Sequence, residues 1–277
     1  MEKNKKGIVM SRDWKEDKNK YEEFLQSIDI QKYAYLKTIK TVEQDLPREI
    51  LPLEIYYEYY WEKLDFKDYD EIFKIYWSKK LEHICEFIKK YFYGCSFQFV
   101  EEGFKSRMYR IWMSILTQFH FQYLWNAMFQ EKIESNPELD MKGIDALVTI
   151  ENKNVGIQVK KVSFRREASQ RRFTKRQQNL VDIDIIVEIP YLVIDVDSIN
   201  NKISSQRTKE KTKRKYQEIL KVFEKNFIRY GNGFVVFKEE YLKNIYRKIK
   251  EKIKEDISQS EIPKIVKYDD ILTLPKF

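Results

Sequence analysis

The chain has 277 residues, of which 43% are hydrophobic, enough to bury one large core or two modest ones. A net charge of +8 and a pI near 9.1 favour a polyanionic partner. Two cysteines, Cys85 and Cys95, exclude a disulfide framework and suit a reducing cytosol. With no signal peptide and no apolar run of membrane-spanning length, a cytoplasmic protein without a membrane partner is expected.

Residues 1–20 are charged and poor in apolar side chains, and read as a flexible leader. From Tyr21 to about Ile39 apolar residues recur at helical spacing. The following KTVEQDLPRE, ending around Pro47, reads as a connector because proline turns Leu46 away from helical geometry. Residues 53–93 carry aromatics at three- and four-residue intervals, among them Tyr56, Tyr57, Tyr60, Trp61, Phe73, Tyr76 and Phe87. A helical core packed with rings accounts for this spacing, and a base-stacking surface is the other reading. Phe104–Phe129 holds neither Gly nor Pro, and its apolar spacing predicts one long buried helix. His120 on that helix reads as a satisfied core residue, and no second His or Cys has zinc spacing.

Ser135-Asn136-Pro137 signals a turn that delivers the chain to LDMKGIDALVTIENKNVGIQVKK, residues 139–161. Two apolar runs separated by Glu151-Asn152-Lys153-Asn154 predict a β-hairpin. Residues two apart share a strand face, so Gln158 and Lys160 point one way while Val159 and Lys161 point the other. With Asp145 opposite them, a carboxylate, an amide oxygen and an ammonium converge on a volume fit for a hydrated divalent cation and a phosphate. Mg²⁺ keeps several waters, so Asp145, the Gln158 amide oxygen and the Val159 carbonyl would suffice as protein ligands, with Lys160 holding water or phosphoryl oxygen. Asp140 either adds a third oxygen or caps a turn. The same spacing also suits an ordinary surface hairpin.

From Lys160 to Arg176, eight of seventeen residues are Lys or Arg, opposed only by Glu167. Arg165, Arg166, Arg171, Arg172, Lys175 and Arg176 are therefore candidate DNA contacts, to phosphates or to guanine edges. A disordered basic loop has the same composition. Residues 183–195 read as a β-strand of the hairpin's sheet, with Pro190 marking an edge or a bend. A second basic run, Lys202–Lys215, leads into a helical pattern through Phe227. Gly231-Asn232-Gly233 then turns into a short buried strand, GFVVF, and Lys238–Ile257 reads as a solvated amphipathic helix.

This succession gives an α/β (α+β) fold class: a mixed sheet flanked by helices, preceded by an aromatic-rich helical region. The expected divisions are a leader at 1–20, a helical region at 21–130 packing on the core, a core at 131–257 and a tail at 258–277. An acid followed by Gln-x-Lys on adjacent strands resembles the PD-(D/E)xK nuclease superfamily, with Gln158 where an acid usually stands. KTVEQDLPRE (40–49), YFYGCSFQFV (91–100), TQFHFQYLWNA (117–127), GIDALV (143–148), GIQVKK (156–161) and NGFVVFKEEYLK (232–243) are similar to the TaqI-type restriction endonucleases over roughly residues 21–245.

The resemblance implies a homodimeric type II enzyme that cuts both strands of a short palindrome, TCGA in that family, with Mg²⁺ and beside a protecting DNA methyltransferase. It implies Asp140 and Asp145 as paired acids and Lys160 or Lys161 as the lysine; the strand-face argument prefers Lys160. Two other activities fit the same residues: a DNA-binding protein made inactive by Gln158, and a structure-specific repair nuclease. Discrete plasmid bands, a gel shift without cutting, or cutting confined to branched DNA would tell the three apart.

Overall fold

A computed structural model describes residues 12–39, 46–162, 183–255 and 264–273. Its first helix, α1 (Trp14–Ser27), begins inside the span expected to be a flexible leader. Asp13 caps it by accepting from the backbone N–H groups of Lys15 and Glu16, satisfying two of the orphan donors every helix start presents. Arg12 pairs with the buried Asp17 at 2.6 Å and lies over the Trp14 ring, and Trp14 packs against Trp61. These contacts hold the start of the helix onto the helical core, a tertiary effect that local composition conceals.

A 3-10 segment (Gln31–Lys37) leads to the short α2 (Leu53–Tyr57), which runs into a π-helical turn over Glu58–Glu62. The helices α3 (Tyr69–Tyr91) and α4 (Phe97–Met128) follow. Asp68 and Glu71 form a reciprocal capping box at the start of α3, and Ser96 caps α4. The aromatics of 53–93 are largely interior: Tyr56, Tyr57, Tyr60, Tyr69 and Tyr76 are at most 1% exposed, and their hydroxyls find backbone or side-chain partners. A core of rings rather than a base-stacking surface is the outcome there. His120 is buried on α4 and its Nε2 is hydrogen-bonded to Glu22, while Nδ1 has no partner among the described residues, so the expected core position holds and its ring is only half satisfied.

The hairpin consists of β1 (Ala146–Ile150) and β2 (Lys153–Val162), antiparallel, with Ala146 opposite Ile157 and Ile150 opposite Lys153. Only Glu151 and Asn152 lie between them, both with positive φ (48° and 60°), the geometry of a type I′ turn whose twist matches the strands. The link is thus two residues shorter than the polar run Glu151–Asn154, because Lys153 and Asn154 already pair. β3 (Ile185–Leu192) lies parallel to β2, and β6 (Lys264–Val266) parallel to β3, giving the mixed order β1-β2-β3-β6. β6 and the short α9 (Tyr268–Ile271) lie within the span read as the tail, 258–277, and Val266, Ile271 and Leu272 enter the sheet's core. Three-residue strands leave almost no periodic signal, and the neighbouring strand supplies the missing specification. Pro190 sits beyond the reach of β6, and its carbonyl accepts from the Tyr241 hydroxyl at 2.9 Å. The edge-like position expected of it arises inside a nominally central strand.

α6 (Val196–Ser204) and α7 (Glu210–Asn226) lead to a small hairpin of β4 (Phe227–Arg229) and β5 (Val235–Phe237), and α8 (Glu239–Lys254) follows. α8 is less solvated than its alternating charges suggest: Tyr241, Leu242, Ile245 and Ile249 pack into the sheet-side core. α4 joins the two large cores. Trp112, Leu116, Phe119 and Tyr123 belong to the helical one, and Phe121, Leu124 and Trp125 to the sheet-side one. β5 does the same by alternation, sending Val235 and Phe237 to one side and Phe234 and Val236 to the other.

Candidate active site

Asp145 immediately precedes β1, and its N–H donates to the Ile157 carbonyl at 2.9 Å, which ties it to β2 beside the Ala146–Ile157 pair. One carboxylate oxygen accepts from the Val159 N–H at 2.6 Å. Its carbonyl accepts from Gln122 Nε2 (2.8 Å) and from Ser135 Oγ (2.7 Å), which fills both lone pairs. Every backbone polar group of this residue is therefore committed, and the carboxylate is aimed before any ligand arrives.

Asp140 lies in the last turn of α5 (Pro137–Met141), a five-residue helix capped by Asn136 and opened by Pro137. Its Oδ2 accepts from the Tyr57 hydroxyl at 3.4 Å. The left-handed Gly143 (φ 84°) then bends the chain so that Asp140 and Asp145 approach each other. Burial pushes the Asp140 carboxyl up to about 6. Burial, joined by the negative charge of Asp140, pushes Asp145 up to about 7, with the Val159 N–H, the nearby Lys160 ammonium and a Gln118 hydrogen bond pulling the other way. A buried carboxyl and a half-buried one that resist ionising together are a functional-site signature.

Gln158 is 2% exposed, and its Nε2 donates to the Gly143 carbonyl, which directs the amide nitrogen at the Asp140–Asp145 loop. Lys160 shares its strand face, is half-buried and lies close enough to act on the Asp145 charge. Lys161 falls on the alternate face and is exposed. The structure therefore brings Asp140, Asp145, Gln158 and Lys160 together and sets Lys161 apart. Val159 contributes its N–H to Asp145. Arg165, Arg166, Arg171, Arg172, Lys175 and Arg176 lie outside the described residues.

Four residues at the site carry no local signal of it: Tyr57, Ser135, Gln118 and Gln122. The two glutamines are four apart, so both lie on one side of α4, and two amides in an otherwise aromatic stretch were the available hint. Gln118 Oε1 and Gln122 Oε1 are buried acceptors with no partner among the described residues. The candidate donor set is hard oxygen throughout: two carboxylates, the Gln158 amide oxygen and the Val159 carbonyl. That suits a small divalent cation retaining most of its waters. Among the described residues no group of three or more His, Cys, Asp or Glu is placed to hold a metal ion. Among the same residues, no helix is long and apolar enough to cross a membrane.

Comparison with known proteins bears on the family. No solved structure matches the chain significantly. The chain is 42% identical over 231 residues to the type II restriction enzyme TaqI of Thermus aquaticus, covering 81% of this chain and 85% of that enzyme. It is 40% identical over 237 residues to the type II restriction enzyme TthHB8I of Thermus thermophilus, covering 83% and 87% respectively. The family model for the TaqI restriction endonuclease matches residues 18–249, nearly the whole of the described fold. On these matches, the chain belongs to the TaqI restriction endonuclease family and is a type II restriction endonuclease.

Proposed function

We propose that this enzyme hydrolyses one phosphodiester bond in each strand of a short palindromic DNA site, TCGA as in the TaqI type, on a PD-(D/E)xK core, with Mg²⁺ held by Asp140 and Asp145. The observation that carries the reading is the half-buried Asp140 carboxyl set near the buried Asp145 carboxyl, with Lys160 close to Asp145. A cation there would supply positive charge to a phosphate that gains negative charge in the transition state, and would acidify a bound water.

The protein's own part is orientation. The Val159 N–H and Gln118 fix the Asp145 carboxylate, while Gln158 ties β2 to Gly143 and keeps the Asp140–Asp145 loop at its distance from the strand. The Gln158 amide oxygen and the Val159 carbonyl are the further candidate oxygens. Lys160 stands on the Asp145 side of β2, where its ammonium can hold the attacking water or a phosphoryl oxygen. Lys161, exposed on the opposite face, is assigned instead to the DNA backbone, with Arg165, Arg166, Arg171, Arg172, Lys175 and Arg176. A palindrome has twofold symmetry, and a homodimer presents two such sites to it in matched orientation. A partner DNA methyltransferase that protects the host sequence, and a cytoplasmic location, complete the proposal.

Incubating the protein with plasmid DNA and Mg²⁺ tests it directly. Discrete fragments whose sequenced ends share one palindrome are the expected result. DNA retention without cutting would instead support an inactive binding protein, and cutting restricted to branched or damaged DNA a repair nuclease.

A further inference from the structure

Beyond the four residues that converge on the hairpin, the helical region sends one buried hydroxyl to the acid pair. Tyr57 ends α2 at the point where the helix widens into the π-turn Glu58–Glu62, a device that often marks functional positions in helices. It is 1% exposed, and its ring stands edge-on to Phe119 at 5.0 Å and 87°. A phenylalanine would satisfy that packing. The hydroxyl has other contacts: Ser135 Oγ at 2.9 Å and Asp140 Oδ2 at 3.4 Å.

Proton counting gives these contacts a direction. Ser135 has one hydroxyl proton, and it goes to the Asp145 carbonyl at 2.7 Å. Ser135 Oγ must then accept from Tyr57. Tyr57 also has one proton, which the Asp140 carboxylate draws on as well. A continuous chain results, from the Asp140 side chain through Tyr57 and Ser135 to the backbone of Asp145, joining the two acids by a route independent of the loop between them.

We propose that Tyr57 is a positioning residue of the restriction reaction, fixing the separation of Asp140 and Asp145 through its hydroxyl and Ser135. The inference rests on the reading of Asp140 and Asp145 as the metal-binding acids. Partners standing one step behind metal ligands set ligand orientation, and their loss typically lowers metal affinity or activity by about 10- to 100-fold.

The test uses Tyr57→Phe, Ser135→Ala and the double variant in the full chain, with Asp145→Asn alongside. Mn²⁺ titration of the DNA-free protein and steady-state cleavage are both measured. The expected result is that Tyr57→Phe weakens Mn²⁺ binding and lowers kcat by about 10-fold or more while KM for DNA stays within about twofold. Ser135→Ala should do the same, and the double variant should be no worse than the poorer single, because the two hydroxyls act in series. Mn²⁺ affinity and kcat within about twofold of wild type in Tyr57→Phe, with Asp145→Asn inert, would overturn the role of Tyr57 and leave the acid pair standing. Full cutting by Asp145→Asn would instead overturn the acid pair, and this inference with it. Should Tyr57→Phe fail to fold, Ser135→Ala decides alone, and an unchanged Mn²⁺ affinity there overturns the proposal.

Discussion

The Val159 N–H donates to the Asp145 carboxylate at 2.6 Å, so the acid at the head of β1 is held by the backbone of the strand facing it. A carboxylate restrained in this way loses little freedom on meeting a cation, and its oxygen cannot swing away when the neighbouring Asp140 repels it. Removing that carboxylate should cost cleavage far more than it costs folding. Asp145→Asn, nearly isosteric, is expected to reduce the cleavage rate by at least about 10²-fold while metal-free DNA binding by gel shift stays near wild type. A variant that still cuts at the native rate removes Asp145 from the site.

The two lysines at the end of β2 should behave differently, because strand alternation places them on opposite faces. Lys160→Ala is expected to lower kcat by about 10²-fold or more, with DNA binding little changed. Lys161→Ala should leave kcat within a few-fold and flatten the log-log salt dependence of binding by about one. Equal losses of kcat in the two variants would show that the face assignment is wrong.

Gln158 occupies the position at which an acid is usual in the superfamily this chain resembles, and its hydrogen bond to Gly143 gives a reason. An amide nitrogen donates to that carbonyl, whereas a carboxylate would face it oxygen to oxygen and add a third negative charge beside two strained acids. Gln158→Glu is therefore expected to destabilise the protein by about 1–3 kcal/mol in urea unfolding without metal. Stability equal to wild type would mean that the Gly143 contact contributes nothing to the fold.

The raised carboxyls carry a pH signature. The native state holds protons on Asp140 and Asp145 where the unfolded chain, with ordinary carboxyls near 3.8, has released them. More protons bound in the native state means that stability falls as pH rises, here across the window from about 4 up to the folded values of about 6 and about 7. Thermal unfolding in chelator should show that decline, and Asp140→Asn should flatten it. Added Mg²⁺ or Ca²⁺ should also remove it, because a cation stabilises the ionised pair and displaces its protons. A decline identical in wild type and Asp140→Asn would assign the effect to other groups.

The sequence by itself determined the hairpin, its two apolar runs and the face shared by Gln158 and Lys160, since a period of two is a local property of extended backbone. The long helix through 104–129 and the ring-filled core were equally legible, from apolar spacing uninterrupted by Gly or Pro. The matching blocks fixed the family over most of the chain. Tertiary structure decided what surrounds Asp145: Gln122 reaches it across 23 residues of sequence, and Tyr57 reaches Asp140 across 83. It also drew the start of α1 onto the helical core and gave Val266, at the far end of the chain, a strand to pair with. The physical reason is common to all of these. A hydroxyl or amide on a helix looks the same in sequence whether it meets water or a carboxylate, and only the packing of α2 against α5 and the approach of α4 to Asp145 choose between them.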